Sequence, residues 1–92
     1  MSTEITHEPD RSRYVITVDG VEAGEATYVL EGDMHVFDHT FTDPAHRGQG
    51  LAGELVEYAL TDVRARGGKV RPVCPFVVDY MDKHPEFSGI RV

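Results

Sequence analysis

Apolar positions in the first half of the chain fall in short runs rich in β-branched and aromatic residues, separated by glycine-containing turns. Arg13-Tyr14-Val15-Ile16-Thr17-Val18 reads as a strand that stops at Asp19-Gly20. Both residues of that pair tolerate positive φ and so favour a tight hairpin. Glu22 to Leu30 supplies the partner strand, with Ala23 and Gly24 weakening its start. Glu31-Gly32-Asp33 is a second turn, and Met34 to Thr42 reads as a third strand. After Asp43-Pro44 the period changes. From Gly48 to Arg66 apolar residues recur at Leu51, Leu55, Ala59 and Val63, with Ala52, Val56 and Leu60 beside them, which is one face of a helix. Gly67-Gly68 ends that helix. Lys69 to Cys74 is a short fourth strand stopped by Pro75, and Phe76 to Lys83 is a short amphipathic helix that ends before Pro85.

The order β-β-β-α-β-α predicts an α+β fold. Its sheet is mixed and mostly antiparallel, with the third and fourth strands parallel and adjacent, because a strand–helix–strand crossover of this length brings its strands together in that sense. One long helix covers one face, and one short helix follows near the C-terminus. Residues 1–12, polar and carrying Pro9, are expected to be a loose lead-in, and residues 13–92 a single domain. A chain of 92 residues has room for one core and is too short for a TIM barrel or a complete dinucleotide-binding fold.

Sixteen acidic against nine basic residues give a formal charge of −7. That balance argues against a nucleic-acid partner and against a polybasic membrane anchor, while leaving room for a local basic pocket. Cys74 is the lone cysteine, so no internal disulfide forms, which fits a reducing, cytoplasmic setting. The N-terminal stretch has no apolar signal-like run, and no apolar run approaches the ~20 residues a membrane span needs.

Arg47-Gly48-Gln49-Gly50-Leu51-Ala52-Gly53, between the third strand and the long helix, is the stretch richest in chemical meaning. A glycine-rich turn at a helix N-terminus presents unpaired N–H groups and the positive end of the helix dipole, where phosphates bind readily. Arg47 adds a fixed cation suited to a pyrophosphate, and His46 adds to the field. Read literally, Gly48 to Gly53 matches the G-x-G-x-x-G dinucleotide fingerprint. The context opposes it, since the strand after the helix offers Lys69 and Arg71 where that fold needs an acidic residue for the ribose. No Gly-Lys-Ser/Thr follows, so the P-loop is excluded. The plainest alternative is that the glycines only permit a tight turn.

Arg47-Gly48-Gln49-Gly50-Leu51-Ala52 resembles the Arg/Gln-x-x-Gly-x-Gly/Ala signature of GNAT-superfamily acetyltransferases, with Arg47, Gly50 and Ala52 at its defined positions. The wider text is similar to a very small subfamily, through His39-Thr40, Pro72-Val73-Cys74-Pro75-Phe76 and His84-Pro85-Glu86, over roughly Tyr14 to Phe87. The resemblance implies a GNAT-like fold and an acetyl-coenzyme A-dependent N-acetyltransferase acting on an unidentified amine, with an amine on another protein among the acceptors. It implies that Arg47, Gly48, Gln49, Gly50, Leu51 and Ala52 hold the pyrophosphate. It also implies that Thr40, Phe41 and Thr42, where the third strand splays from the fourth, meet the pantetheine arm. The chain departs from larger members by lacking the N-terminal helical region and much of the C-terminal part, portions that shape the acceptor site.

Cys74 lies at the C-terminal end of the fourth strand, where α/β sheets usually place ligands. The small subfamily makes it a candidate for contact with the coenzyme sulfur and for covalent acetyl transfer, while its residue type alone also suits a small buried hydrophobe. Tyr80 occupies the region where many members carry a tyrosine that protonates the leaving thiol; otherwise it is a core tyrosine with its hydroxyl at the surface. His39 is a candidate base or a hydrogen-bond partner for Cys74, or a histidine bonded within the sheet. Strict alternation puts His35 and His39 on one face roughly 13 Å apart, too far to share a metal, and no metal site is expected. Glu25 and Asp38 are candidate water-mediated bases or solvated strand carboxylates. The rival to an enzyme is a non-catalytic acyl-coenzyme A-binding or protein-interaction module that keeps the phosphate loop. Acceptor, acyl chain and oligomeric state are not encoded in any motif.

Overall fold

The computed structural model describes residues 2–92. Five strands, β1 (Thr3–Glu8), β2 (Arg13–Val18), β3 (Val21–Glu31), β4 (Met34–Thr42) and β5 (Lys69–Pro72), lie in sequence order in one sheet. β1 to β4 are antiparallel, and β4 and β5 are parallel, as the crossover rule requires. Helix α1 (Leu51–Ala65) makes that crossover, and α2 (Pro75–Lys83) follows β5 directly. Both helices pack on the same face of the sheet. Tyr14, Ile16, Ala26, Tyr28 and Phe37 meet Leu55, Val56, Ala59, Leu60 and Val63 of α1 and Val77 and Met81 of α2. The architecture is the α+β class expected, with the parallel pair in its expected place.

Two differences from expectation have clear causes. Residues 3–8, expected within a loose lead-in, form β1, paired from Thr3↔Val18 to Glu8↔Arg13; Met1 lies outside the described residues. Thr-Glu-Ile-Thr-His-Glu offers one aliphatic residue, so its period of two is hidden in polar side chains. The C-terminal residues, unassigned from sequence, form a 3-10 turn at Pro85–Ile90 that seats Phe87 and Ile90 in the core. Helix and strand ends shift modestly: α1 starts at Leu51 behind a left-handed Gly50, and β5 stops at Pro72.

Polar groups fasten β1 on both faces. On the open face the Arg13 guanidinium reaches Glu8 at 2.7 Å, Glu25 at 3.0 Å and Glu22 at 3.1 Å, bridging β1, β2 and β3. Glu25, a candidate base by sequence, is committed to this pairing. On the helix face the His7 ring stacks on Tyr14 at 4.2 Å, and its Nε2 lies 2.6 Å from the Tyr28 hydroxyl. Tyr14 donates to Asp62 of α1 at 2.7 Å, and Arg66 does so at 2.9 Å.

Burial lowers the pKa of His7; attraction to Asp62 opposes this, while Arg66 and His35 add to it. Burial likewise lowers that of His35. A histidine whose folded pKa lies below its unfolded value contributes stability in full above the unfolded value and loses it as pH falls towards the folded one. His7 is therefore expected to titrate below the ordinary value of 6.5 by NMR. Urea-unfolding stability should drop between about pH 7.5 and about pH 5.5, and drop less in His7→Phe. A His7 midpoint above 6.5 would show that Asp62, rather than burial, governs its charge.

Candidate active site

The site forms where β4 and β5 part. Their register runs from Met34↔Lys69 to Phe37↔Pro72 and goes no further. The Phe37 carbonyl accepts from the N–H groups of both Val73 and Cys74, each at 3.0 Å, and the chain then leaves the sheet into α2. The stretch of β4 from Asp38 to Thr42 keeps β3 as its partner on one side and has no β5 partner on the other. Gly24 lets β3 approach this end closely. A Cβ there would stand 2.8 Å from the Phe41 carbonyl oxygen and 3.2 Å from Ile16, so any larger residue pushes the end of β4 away.

A bulge in β4 decides which side chains face inward. Tyr28 pairs with Phe37 and Thr27 with His39, leaving Asp38 as an extra residue. Thr40 therefore lies opposite the buried Ala26 and turns to the helix face, with its hydroxyl 3.5 Å from the Cys74 sulfur. His39, which strict alternation places with His35 and Phe37, is instead exposed beside Thr27 on the open face. It does not meet Cys74. Asp38 accepts a hydrogen bond from the Thr27 hydroxyl at 2.9 Å and is exposed, away from the cleft. Phe41 also faces outward, 46% exposed.

A cleft of about 520 Å³ opens beside this end of β4, lined by Thr40, Thr42, His46, Arg47, Gly48, Gly50, Leu51, Ala52, Gly53 and Phe76. Asp43 caps the short 3-10 turn Pro44–His46 by accepting from the Ala45 N–H at 2.8 Å. Arg47 follows, its Nε 3.4 Å from the Thr42 carbonyl, with no carboxylate paired to it among the described residues. Gly48 and Gly50 have φ of +85° and +76°, and a Cβ at either would meet nothing within 4 Å. What these positions demand is the left-handed backbone, and the space before them is open.

The first helical hydrogen bond of α1 runs from the Glu54 N–H to the Gly50 carbonyl, and Gly50 brings no capping side chain. The N–H groups of Leu51, Ala52 and Gly53 are thus left for a ligand, at the positive end of a fifteen-residue helix. Open amides, an unpaired guanidinium and glycines in place of side chains suit a pyrophosphate. The groove of about 470 Å³ between β1 and α1 has the opposite character, with Glu54 and Glu57 in its wall, and would repel one.

Cys74 lies behind Thr40 rather than in the cleft wall, 8% exposed, as the residue before α2. Burial acts to raise its pKa, but the Thr40 hydroxyl and the amides of Phe76, Val77 and Thr40 outweigh it, and the net direction is downward. The α2 amides face the sulfur without forming a close capping hydrogen bond. Tyr80 is not brought to the cleft. Its ring stacks on His84 at 3.9 Å, and its hydroxyl faces Glu57 of α1, with its pKa raised by burial first and by Glu57 and Glu86. The structure thus unites Thr40, Thr42, Arg47, Gly48, Gly50, Leu51 and Ala52 in one cleft, with Gln49 on its loop and Cys74 behind Thr40. Gly53 and Phe76 join them; the run of glycines pointed to the first, and nothing in the local pattern marked the second as a cleft wall.

A family model described as GCN5-related N-acetyl-transferase matches residues 13–90. The chain belongs to that family. Among solved structures it is similar to a protein of Staphylococcus aureus described as GCN5-like, at TM-score 0.74 and 20% identity over 97% of this chain and 87% of that one. It is similar to the ribosomal-protein-S18-alanine N-acetyltransferase of Escherichia coli, at TM-score 0.60 and 24% identity over 63% of this chain. It is also similar to a ribosomal-protein-alanine N-acetyltransferase of Brucella melitensis biovar Abortus 2308, at TM-score 0.58 and 22% identity over 91% of this chain. The aligned part spans 38% of the Escherichia coli protein and 64% of the Brucella one. No curated protein matches the chain significantly. Among the described residues, no helix is long and apolar enough to cross a membrane.

Thr40 is expected to hold the Cys74 thiol in its lowered state. The rate of Cys74 alkylation against pH should reach half-maximum below the ordinary thiol value of 9.0. Thr40→Val, which keeps the shape and removes the hydroxyl, should move that midpoint upward, and Thr40→Ser should bring it back. An unmoved midpoint in the valine variant would leave the sulfur to the α2 amides alone.

Proposed function

We propose that the chain is an acetyl-coenzyme A-dependent N-acetyltransferase acting on an amine, with Cys74 beside the coenzyme sulfur. The observation that carries this reading is the convergence of two unpaired sets of backbone groups on one cleft. One set is the N-terminus of α1 with Arg47; the other is the stretch of β4 that β5 leaves free. When bound, acetyl-coenzyme A supplies an acetyl group activated as a thioester. Arg47 and the amides of Leu51, Ala52 and Gly53 hold the pyrophosphate, with Gly48, Gln49 and Gly50 shaping the loop. Thr40, Phe41 and Thr42 offer main-chain donors and acceptors to the pantetheine arm. Phe76, 39% exposed in the cleft wall, offers it an apolar surface.

Behind Thr40, the donors around Cys74 favour negative charge on sulfur, whether on its own thiolate or on a departing thiolate beside it. This supports two routes for the acetyl group: by way of Cys74, or directly to the amine. Tyr80, turned to Glu57, is left out of both, and His39 on the open face has no part in tuning the thiol. Two of the similar structures are named for acetylating an alanine of ribosomal proteins, which makes a protein N-terminus the first acceptor to try. A cytoplasmic setting accords with a free, low-pKa thiol. The near-complete burial of Cys74 favours one second reading, an acyl-coenzyme A-binding module that performs no transfer.

Arg47→Ala is expected to weaken coenzyme A binding by about 1.5–3 kcal/mol in calorimetry, the worth of a hydrogen bond to a charged group. Gly50→Val should abolish binding. It should cost the fold only about 1–2 kcal/mol, because the strain is in the left-handed backbone and the side chain meets no neighbour. A folded Gly50→Val protein that binds normally removes the loop from the site.

Incubation with acetyl-coenzyme A, followed by intact-mass measurement and free-thiol release with peptide amines, decides the route. An adduct of one acetyl group on Cys74, with turnover lost in both Cys74→Ser and Cys74→Ala at affinity kept within about three-fold, marks the covalent route. Full turnover in a folded Cys74→Ala protein marks direct transfer. Binding with neither adduct nor thiol release marks the module.

A further inference from the structure

The groove between β1 and α1 takes no part in the cleft chemistry, and one of its walls is the edge of the sheet. β1 pairs with β2 on one side, and among the described residues no strand lies on the other. Two bonds fix the phase of its ladder. The Asp19 N–H donates to the Ser2 carbonyl at 2.7 Å, and the Tyr28 N–H to the Ser12 carbonyl at 3.0 Å. Backbone groups alternate in direction along an antiparallel strand. Glu4, Thr6 and Glu8 therefore turn theirs to β2, while Thr3, Ile5 and His7 turn theirs outward, where no strand receives them.

Side chains alternate with the same period of two, and those of Thr3, Ile5 and His7 all turn to the helix face. His7 stacks on Tyr14, Ile5 packs against the core, and Thr3 and Ile5 line the groove. α1 supplies the facing wall through Glu54, Glu57, Tyr58 and Thr61. A chain laid along this edge thus gains backbone partners and places every second side chain in the groove. The groove has no cationic side chain in its wall, and Glu4 adds an exposed carboxylate on the other face of the edge. Tyr58, 43% exposed, offers a ring for the stem and charge of a lysine or arginine. A second copy of the chain is a poor occupant. β1 against β1 would bring two such grooves and two Glu4 carboxylates together, between molecules of formal charge −7.

We propose that the free edge of β1 takes a basic, extended segment of a partner protein as an added strand, with alternate lysine or arginine side chains in the groove against Glu54, Tyr58 and Glu57. The backbone edge supplies the grip, and the carboxylates supply the choice of a cationic segment. This surface is separate from the coenzyme cleft and does not depend on the reading of that cleft.

The probe is a hexapeptide of alternating lysine and threonine with both termini blocked, and amide hydrogen exchange by NMR reads the edge directly. In the free protein the amides of Thr3, Ile5 and His7 should exchange faster than those of Glu4 and Thr6. Saturating peptide should slow the first three by about ten-fold or more. Glu54→Lys should weaken peptide binding by about five-fold or more. Thr3→Pro, which removes an outward N–H and leaves the bonds to β2 in place, should weaken it by about three-fold or more. N-methylation of one alternate set of peptide residues should abolish binding, and of the other set should be tolerated. Spermidine, a linear cation without peptide groups, should leave the three amides unprotected. No protection at about 1 mM peptide overturns the proposal. Equal effects of the two N-methylated sets or equal protection by spermidine overturn it, as does undiminished binding in folded Glu54→Lys and Thr3→Pro proteins. Protection that grows with protein concentration in the absence of peptide overturns it in favour of a second copy.

Discussion

A single carbonyl governs this architecture. Phe37 is the last residue of β4 to pair with β5, and its oxygen takes the N–H of both Val73 and Cys74 where an ordinary parallel ladder would move on to the next residue. That double acceptance closes the ladder and turns the chain outward. Everything chemical follows from the turn: Pro75 can open α2, Cys74 is set against the α2 amides, and the rest of β4 keeps free backbone groups. Phe37 is itself 1% exposed in the centre of the core. The opening of the sheet is thus anchored by packing rather than by any loop.

Opposite demands meet at the two ends of α1. Its N-terminus is left uncapped, with three amides open, which costs stability in the free protein. Its C-terminal half is tied down heavily, with Asp62 receiving Tyr14 and Arg66 and lying close to His7. Val63 and Leu60 are fully buried there. A helix clamped at its far end can keep its near end open, and the polar cluster on β1, β2 and β3 supports the site from a distance.

Much of this was legible in the sequence. Four strands, both helices, the parallel pair and the glycine-rich loop ahead of α1 follow from period, turn residues and spacing. β1 was hidden because pairing with β2 and a ring-stacked histidine do for it what aliphatic residues do elsewhere. The inward roles of Thr40 and His39 were exchanged because a bulge at Asp38 is a pairing fact, settled by what β3 places opposite, and leaves no mark in a run of β-branched and aromatic residues. The surroundings of Tyr80 were hidden for a similar reason. Helical spacing gives its face on α2, but the neighbour on that face, Glu57, comes from another element.

The cleft wall is cationic within a chain whose formal charge is −7. An anionic ligand approaching from solution meets repulsion first and attraction only at the loop, whereas a cationic one is attracted at long range and repelled at the cleft wall. Salt shortens the range of both fields, to about 10 Å at 0.1 M ionic strength. Added salt should therefore speed the encounter with the anion, up to the concentration at which the Arg47 contact itself is screened, and slow the encounter with the cation. Ionic strength then acts as a balance between ligands of opposite charge, and the encounter rates of a chain this small depend on charges far from its cleft as well as on the few within it.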